Sequence, residues 1–196
     1  MAATNIGLVG CGRWGKLILR DLKLLGCAVT VIANSTEARA NANEGGADLI
    51  LSSLEELVEQ TSLEGIIVAT PTPTHYAVLR RLMGLRPGLP LFCEKPVTDS
   101  FQDARELFRL QPEHIFVMDK WRYHAGVLKL AEIAHERSLG AVLGIRTERL
   151  GWGMPHPGAN VVWHLMPHDM AIVLEILGFI PELRTSHLEW MEEQCF

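Results

Sequence analysis

Val9-Gly10-Cys11-Gly12-Arg13-Trp14-Gly15 is the stretch on which the reading of the fold turns. Its glycines stand in the spacing G-x-G-x-x-G, directly after the apolar run 6–9 and just ahead of an amphipathic stretch carrying Leu17, Ile18, Leu22 and Leu25. A strand that ends at Gly10 and a helix that begins near Arg13 give each glycine a separate reason. Gly10 makes the tight turn, Gly12 lets a pyrophosphate approach the backbone, and Gly15 lets the helix pack closely on the strand. The first N–H groups of that helix would hold the phosphates. Arg13 and Trp14, inside the turn, are candidate contacts with the same dinucleotide.

Working outward, strand-like and helix-like segments alternate: 6–9, 13–25, 29–33, 37–43, 49–51, 54–60, 65–69, 74–85, 89–93, 101–110 and 115–118. Runs such as Ile66-Ile67-Val68-Ala69 are apolar throughout, as strands of a parallel sheet covered on both faces must be. Gly26 and Gly45-Gly46 close the first two helices, and Ser100 is placed to cap the helix 101–110. The expectation is an α/β fold, a Rossmann-type doubly wound parallel sheet over residues 1–120. From Trp121 the texture changes to a helix 127–137, a long strand 141–149, a loop rich in Gly, Pro and His over 151–159, and a helix 162–177. This reads as a partial α+β substrate domain over residues 121–196, with one further strand candidate at 183–190. Two strands make a poor sheet by themselves. The second domain therefore looks unfinished, and the strand 141–149 is expected to pair with another copy of the chain or to aggregate.

Composition excludes several functions. The chain has 196 residues, is 48% hydrophobic and carries a net charge of −5, which suits a globular protein and argues against a nucleic-acid surface. No apolar run approaches the ~20 residues of a spanning helix, and the N-terminus enters a strand with no basic leader, so a cytoplasmic protein is expected. The four cysteines lack C-x-x-C spacing, which fits a reducing compartment and speaks against a zinc knuckle.

Three more stretches carry the chemistry: Ala69-Thr70-Pro71-Thr72-Pro73-Thr74-His75, Cys93-Glu94-Lys95-Pro96 and Trp163-His164-Leu165-Met166-Pro167-His168-Asp169. The first two begin at the carboxyl ends of expected parallel strands, where doubly wound sheets bind ligands. Together with the glycine turn, these stretches resemble the Gfo/Idh/MocA family of NAD(P)-dependent oxidoreductases. The resemblance runs along essentially the whole chain but spans only the first half to two-thirds of a usual member. It implies that Thr70, Pro71, Thr72 and His75 line the nicotinamide side of the cofactor, His75 by itself reading as an ordinary helix N-terminal histidine. It implies that Glu94 reaches the cofactor ribose and that Lys95, desolvated at a strand end, exchanges a proton with a substrate hydroxyl.

His168 matches the family's proton-handling histidine. His164, four residues earlier and so on the same helical face, stands where the family often has aspartate; it would orient substrate. The sequence nominates no third ligand for this pair, so no metal is expected. Arg122, in Asp119-Lys120-Trp121-Arg122-Tyr123, either faces the cofactor site or is a structural arginine between domains. Near the end of the second strand, Asn34, Ser35 and Thr36 replace the carboxylate that would bind an NAD ribose, and Arg13 and Arg39 can supply charge to a 2′-phosphate. NADP is therefore the expected cofactor, with NAD as runner-up. The implied reaction is hydride transfer between nicotinamide and a carbinol or carbonyl carbon of a carbohydrate-like small molecule. The alternatives are a non-catalytic NAD(P)-binding regulatory or structural protein and a truncated, inactive family member.

Overall fold

The six apolar runs expected as strands within the first 120 residues do become strands, and these six run the same way. In the computed structural model, which describes residues 3–149 and 161–187, β1 (Asn5–Val9), β2 (Ala28–Ile32), β3 (Leu49–Leu51), β4 (Gly65–Val68), β5 (Leu91–Glu94) and β6 (Ile115–Met118) form one parallel sheet. Its order is β3-β2-β1-β4-β5-β6. Between them run α1 (Gly15–Leu24), α2 (Thr36–Glu44), α3 (Leu54–Val58), α4 (Thr72–Leu85) and α5 (Phe101–Leu110). This is the Rossmann-type doubly wound α/β fold. The strand order reverses between β1 and β4, which register Ile6 on Gly65 through Val9 on Val68, and that reversal opens a crevice at the carboxyl edge.

The two faces of the sheet bury separate cores. On one, Ile66, Val68, Leu91 and Cys93 meet Leu57, Leu79, Leu82 and Leu107 of the helices; on the other, Leu8, Val29, Val31 and Ile67 meet Leu19, Ala38 and Ala42. The second face thins beyond β4. There Ile67 is in register with Phe92 and Phe92 with Phe116. These two rings stack at 4.9 Å and are 40% and 45% exposed.

Local chemistry sets the helix ends. Ser35, Ser53 and Ser100 each accept a hydrogen bond from the amide three residues on, which satisfies a donor the helix cannot. Arg86, just past α4, donates to the carbonyls of Gln60, Thr61 and Leu63.

Two compact units divide the described residues. The first holds the sheet through Asp119 and α7 (Val161–Leu177) as far as Pro167; the second starts at Lys120 and takes α7 from His168. Among the described residues the second unit also holds the 3₁₀ turn Lys120–Tyr123 and α6 (Ala125–Glu136). The strand expected at 141–149 does not form: those residues are irregular, with Leu143 fully exposed. The described part of the second candidate, 183–187, is irregular too. A lone extended segment leaves its N–H and C=O groups without a ladder, so high β-propensity cannot make it a strand. The sheet edge through which pairing of copies was expected is thus absent among the described residues. No helix among the described residues is long and apolar enough to cross a membrane.

Candidate functional site

The carboxyl edge of β2, β1, β4 and β5 brings together residues that are up to 85 positions apart in sequence, Gly10 and Lys95 among them. At β1, the turn has the geometry its glycines require. Gly10 sits at φ +93°, and a Cβ there would lie 2.9 Å from the Ala69 carbonyl oxygen. A Cβ on Gly15 would come within 2.2 Å of the Gly10 carbonyl oxygen, so α1 can approach the strand only with hydrogen at this position. Gly12 is different in kind. A Cβ there would meet no protein atom within 4 Å, so packing does not require this glycine and the space before α1 is open to a ligand.

Trp14, 54% exposed, and Arg13, also exposed, stand at the start of α1. The turn is tethered from outside by Asn41 of α2, whose Nδ2 donates to the Cys11 carbonyl at 2.8 Å. Spacing does not reveal that contact, because its partners are 30 residues apart. The Cys11 side chain is fully buried, and desolvation pushes its thiol up against a smaller downward pull from Lys16.

After β2, Asn34, Ser35 and Thr36 are exposed at the N-terminus of α2, with Ser35 as the cap. Arg39, one turn further, reaches the Ser52 hydroxyl at 2.7 Å. After β4, Thr70 and Thr72 are half-buried and Pro71 exposed; the Thr74 hydroxyl donates to the Pro71 carbonyl at 2.7 Å, which closes the loop on itself. His75 is not on the surface of this loop. It is 1% exposed, and its ring nitrogens lie 2.7 Å from the Thr70 carbonyl and 2.9 Å from the Pro96 carbonyl. The ring thus faces two main-chain carbonyls, one in each loop.

At the end of β5, Glu94 and the following Lys95 are half-buried, and the Lys95 amide donates to the Glu94 carboxylate at 3.2 Å. Cys93 beneath them is fully buried, its thiol pushed up to about 12 chiefly by desolvation and secondarily by the Glu94 charge.

Of the remaining candidates, Arg122 and His168 belong to the second unit and His164 to the first. The Arg122 Nε donates to Glu175 of α7 at 3.1 Å. His168 meets the edge of the Trp121 ring at 6.3 Å between centroids, and the Arg149 guanidinium lies 5.2 Å over the same ring. Arg149 also pairs with Asp169 at 2.7 Å, with both side chains mostly buried. Arg149 was not singled out by sequence, since nothing in its surroundings marks a contact with a helix 20 residues on. His164 lies on the backbone of α7, and its side chain is outside the described residues. Among the described residues no group of three His, Cys, Asp or Glu is placed to hold a metal ion.

Residues 4–117 match the model of an oxidoreductase family with an NAD-binding Rossmann fold, Gfo/Idh/MocA. An uncharacterized oxidoreductase of Streptococcus pneumoniae is 30% identical over 91% of this chain and 52% of its own length. Inositol 2-dehydrogenase of Agrobacterium fabrum is 29% identical over 86% of the chain and 51% of its own. Among solved structures, myo-inositol dehydrogenase from Lactobacillus casei in complex with NAD(H) and myo-inositol superposes with a TM-score of 0.65 at 19% identity, covering 71% of this chain and 43% of that one. The chain spans about half the length of the curated relatives it matches.

Proposed function

Because the chain belongs to the Gfo/Idh/MocA oxidoreductase family, we propose that its crevice binds NADP, with NAD as the second choice, and that the protein oxidises a carbinol carbon, or reduces the corresponding carbonyl carbon, of a polyol or sugar. The observation that carries this reading is Gly12: alone of the three glycines in the turn it faces open space, directly at the N-terminus of α1. Backbone amides and the positive end of the helix dipole then face any pyrophosphate placed there. The choice of NADP is supported by the loop after β2. It presents Asn34, Ser35 and Thr36 with Arg39 one turn behind, and its first carboxylate is Glu37.

When bound, the nicotinamide supplies or accepts the hydride. Lys95 takes up the proton of the substrate hydroxyl during oxidation and returns it during reduction. Its place beside Glu94 at the end of β5 supports this role, and half-burial limits competing water. Thr70, Pro71 and Thr72 line the nicotinamide side. His168 assists the proton transfer and His164 orients substrate. A polyol or sugar substrate is the chemistry suggested by the related inositol 2-dehydrogenase.

The test is a fluorescence titration of the chain with NADPH and NADH, followed by turnover with myo-inositol and simple sugars. Micromolar binding with NADPH preferred is the expected outcome, and failure of both cofactors to bind would overturn the reading. Lys95→Ala should then abolish turnover and leave cofactor affinity within about threefold, which is less than the tenfold worth 1.4 kcal/mol. Binding without turnover in the unsubstituted chain would reassign the protein as a non-catalytic NAD(P) binder.

A further inference from the structure

We propose that His75 is a positioning residue that ties the loop after β4 to the Lys95-Pro96 turn after β5 and so fixes where the Lys95 backbone stands. Both ring nitrogens lie within hydrogen-bond distance of main-chain carbonyls, Thr70 at 2.7 Å and Pro96 at 2.9 Å. Carbonyls only accept, so the ring must be the donor here. One ring hydrogen serves one of these carbonyls at a time, and the other ring nitrogen packs against the second. The side chain is 1% exposed and rooted in the first turns of α4, so the anchor itself cannot swing into solvent. The segments it joins follow neighbouring strands, β4 and β5, paired Ile66 on Leu91 through Val68 on Cys93.

That pairing ends where the proposed chemistry begins. Beyond Val68 and Cys93 the ladder no longer sets the distance between the two chains, and the imidazole bridges them across 21 residues of sequence on one side and 5 on the other. A side chain that holds both loops turns two independently moving segments into one platform, which matters because misplacing a reacting group by an ångström is expensive in rate. For the role given to Lys95 the inference rests on the function proposed above; for the brace itself it does not.

The experiment is hydrogen exchange by mass spectrometry on the full chain, without cofactor, comparing wild type with His75→Phe and His75→Gln. Leu79→Ala, a fully buried position on the same helix, is the control for simple destabilisation. Phe fills the ring's volume but donates nothing, so exchange in segments 70–74 and 94–98 is expected to rise together by roughly fivefold, while the sheet strands keep their protection. His75→Gln, which keeps an N–H donor, should recover part of that protection. Leu79→Ala should loosen α4 without singling out the two loops. Exchange that rises in only one loop, or that follows the same pattern in Leu79→Ala, would overturn the brace.

Should His75→Phe not fold, the wild-type protein labelled with ¹⁵N-histidine decides the matter. A protected ring N–H of His75 with the ring in contact with both segments supports the tie; a ring with no protected hydrogen, or in contact with one segment only, refutes it. Titration with NADPH is the separate arm: about tenfold weaker binding in His75→Phe, partly restored in His75→Gln, extends the brace to the cofactor site. Loss of NADPH binding in the wild type itself would count against the proposed function and leave the exchange result standing.

Discussion

The three glycines of the turn illustrate how one motif combines two unrelated demands. Gly15 is required by packing, since its missing Cβ would collide with the Gly10 backbone at 2.2 Å, whereas Gly12 has no neighbour that packing could protect. Gly15→Ala should therefore lose about 3 kcal/mol of stability, read by denaturant unfolding. Gly12→Ala should unfold within about 0.5 kcal/mol of wild type and yet bind NADPH at least about tenfold more weakly. Equal loss of stability in both would show that the open face is needed for folding. Cys93 gives a residue-scale prediction about pH. With its thiol pushed up to about 12 by burial and the Glu94 charge, it holds its proton more tightly folded than unfolded, where a thiol loses it near ~8.5. Its stabilising contribution is complete below that lower value and fades as pH rises toward the higher one. At pH 8 a disulfide reagent should leave Cys93 untouched in the folded protein and modify it once denaturant is added. Rapid labelling of native Cys93 would contradict this burial.

Among the elements, the helix termini show which local signals carry reliable information. Ser35, Ser53 and Ser100 cap α2, α3 and α5 with the serine hydroxyl on the amide three residues on, and such caps are readable because the chemistry lies within four residues. Arg86 is the opposite case. It gathers the carbonyls of Gln60, Thr61 and Leu63 at distances of 2.8 to 3.3 Å, stitching the end of α4 to the segment between α3 and β4. Nothing in the sequence around it announces this. Arg86→Ala should destabilise the protein by about 2 kcal/mol in urea unfolding, the scale of hydrogen bonds made by a charged donor. Arg86→Lys should recover only part, because an ammonium cannot present the same fork of donors. No change in Arg86→Ala would mean that water replaces these contacts without loss.

For the molecule as a whole, the sheet and residues 138–149 differ in how their backbone is satisfied. Every strand of the sheet has at least one parallel neighbour, whereas residues 138–149 have neither helix nor strand, and Leu139, Leu143 and the Arg146 side chain are at least 86% exposed. Brief digestion with trypsin should cut first at Arg137 or Arg146 and leave a fragment that carries the whole sheet, detected by mass spectrometry. Early cleavage inside the first 119 residues would contradict that difference. The exposed Phe92 and Phe116 rings lie on the same unit, on the half of the second face beyond β4.

By itself the sequence determined the βα alternation, the parallel sheet, the dinucleotide turn and the family, because each is written in short-range signals: glycine spacing, period-free apolar runs and caps within four residues. It also placed Lys95 at a strand end. The tertiary structure alone decided what depends on contacts between distant segments. It turned His75 inward onto two carbonyls, set Asn41 on the Cys11 carbonyl, paired Arg149 with Asp169, and left 141–149 irregular. The physical reason is the same each time. A hydrogen bond or a strand ladder needs a partner, and the sequence names the donor or the β-former without saying whether a partner will be within 3 Å of it.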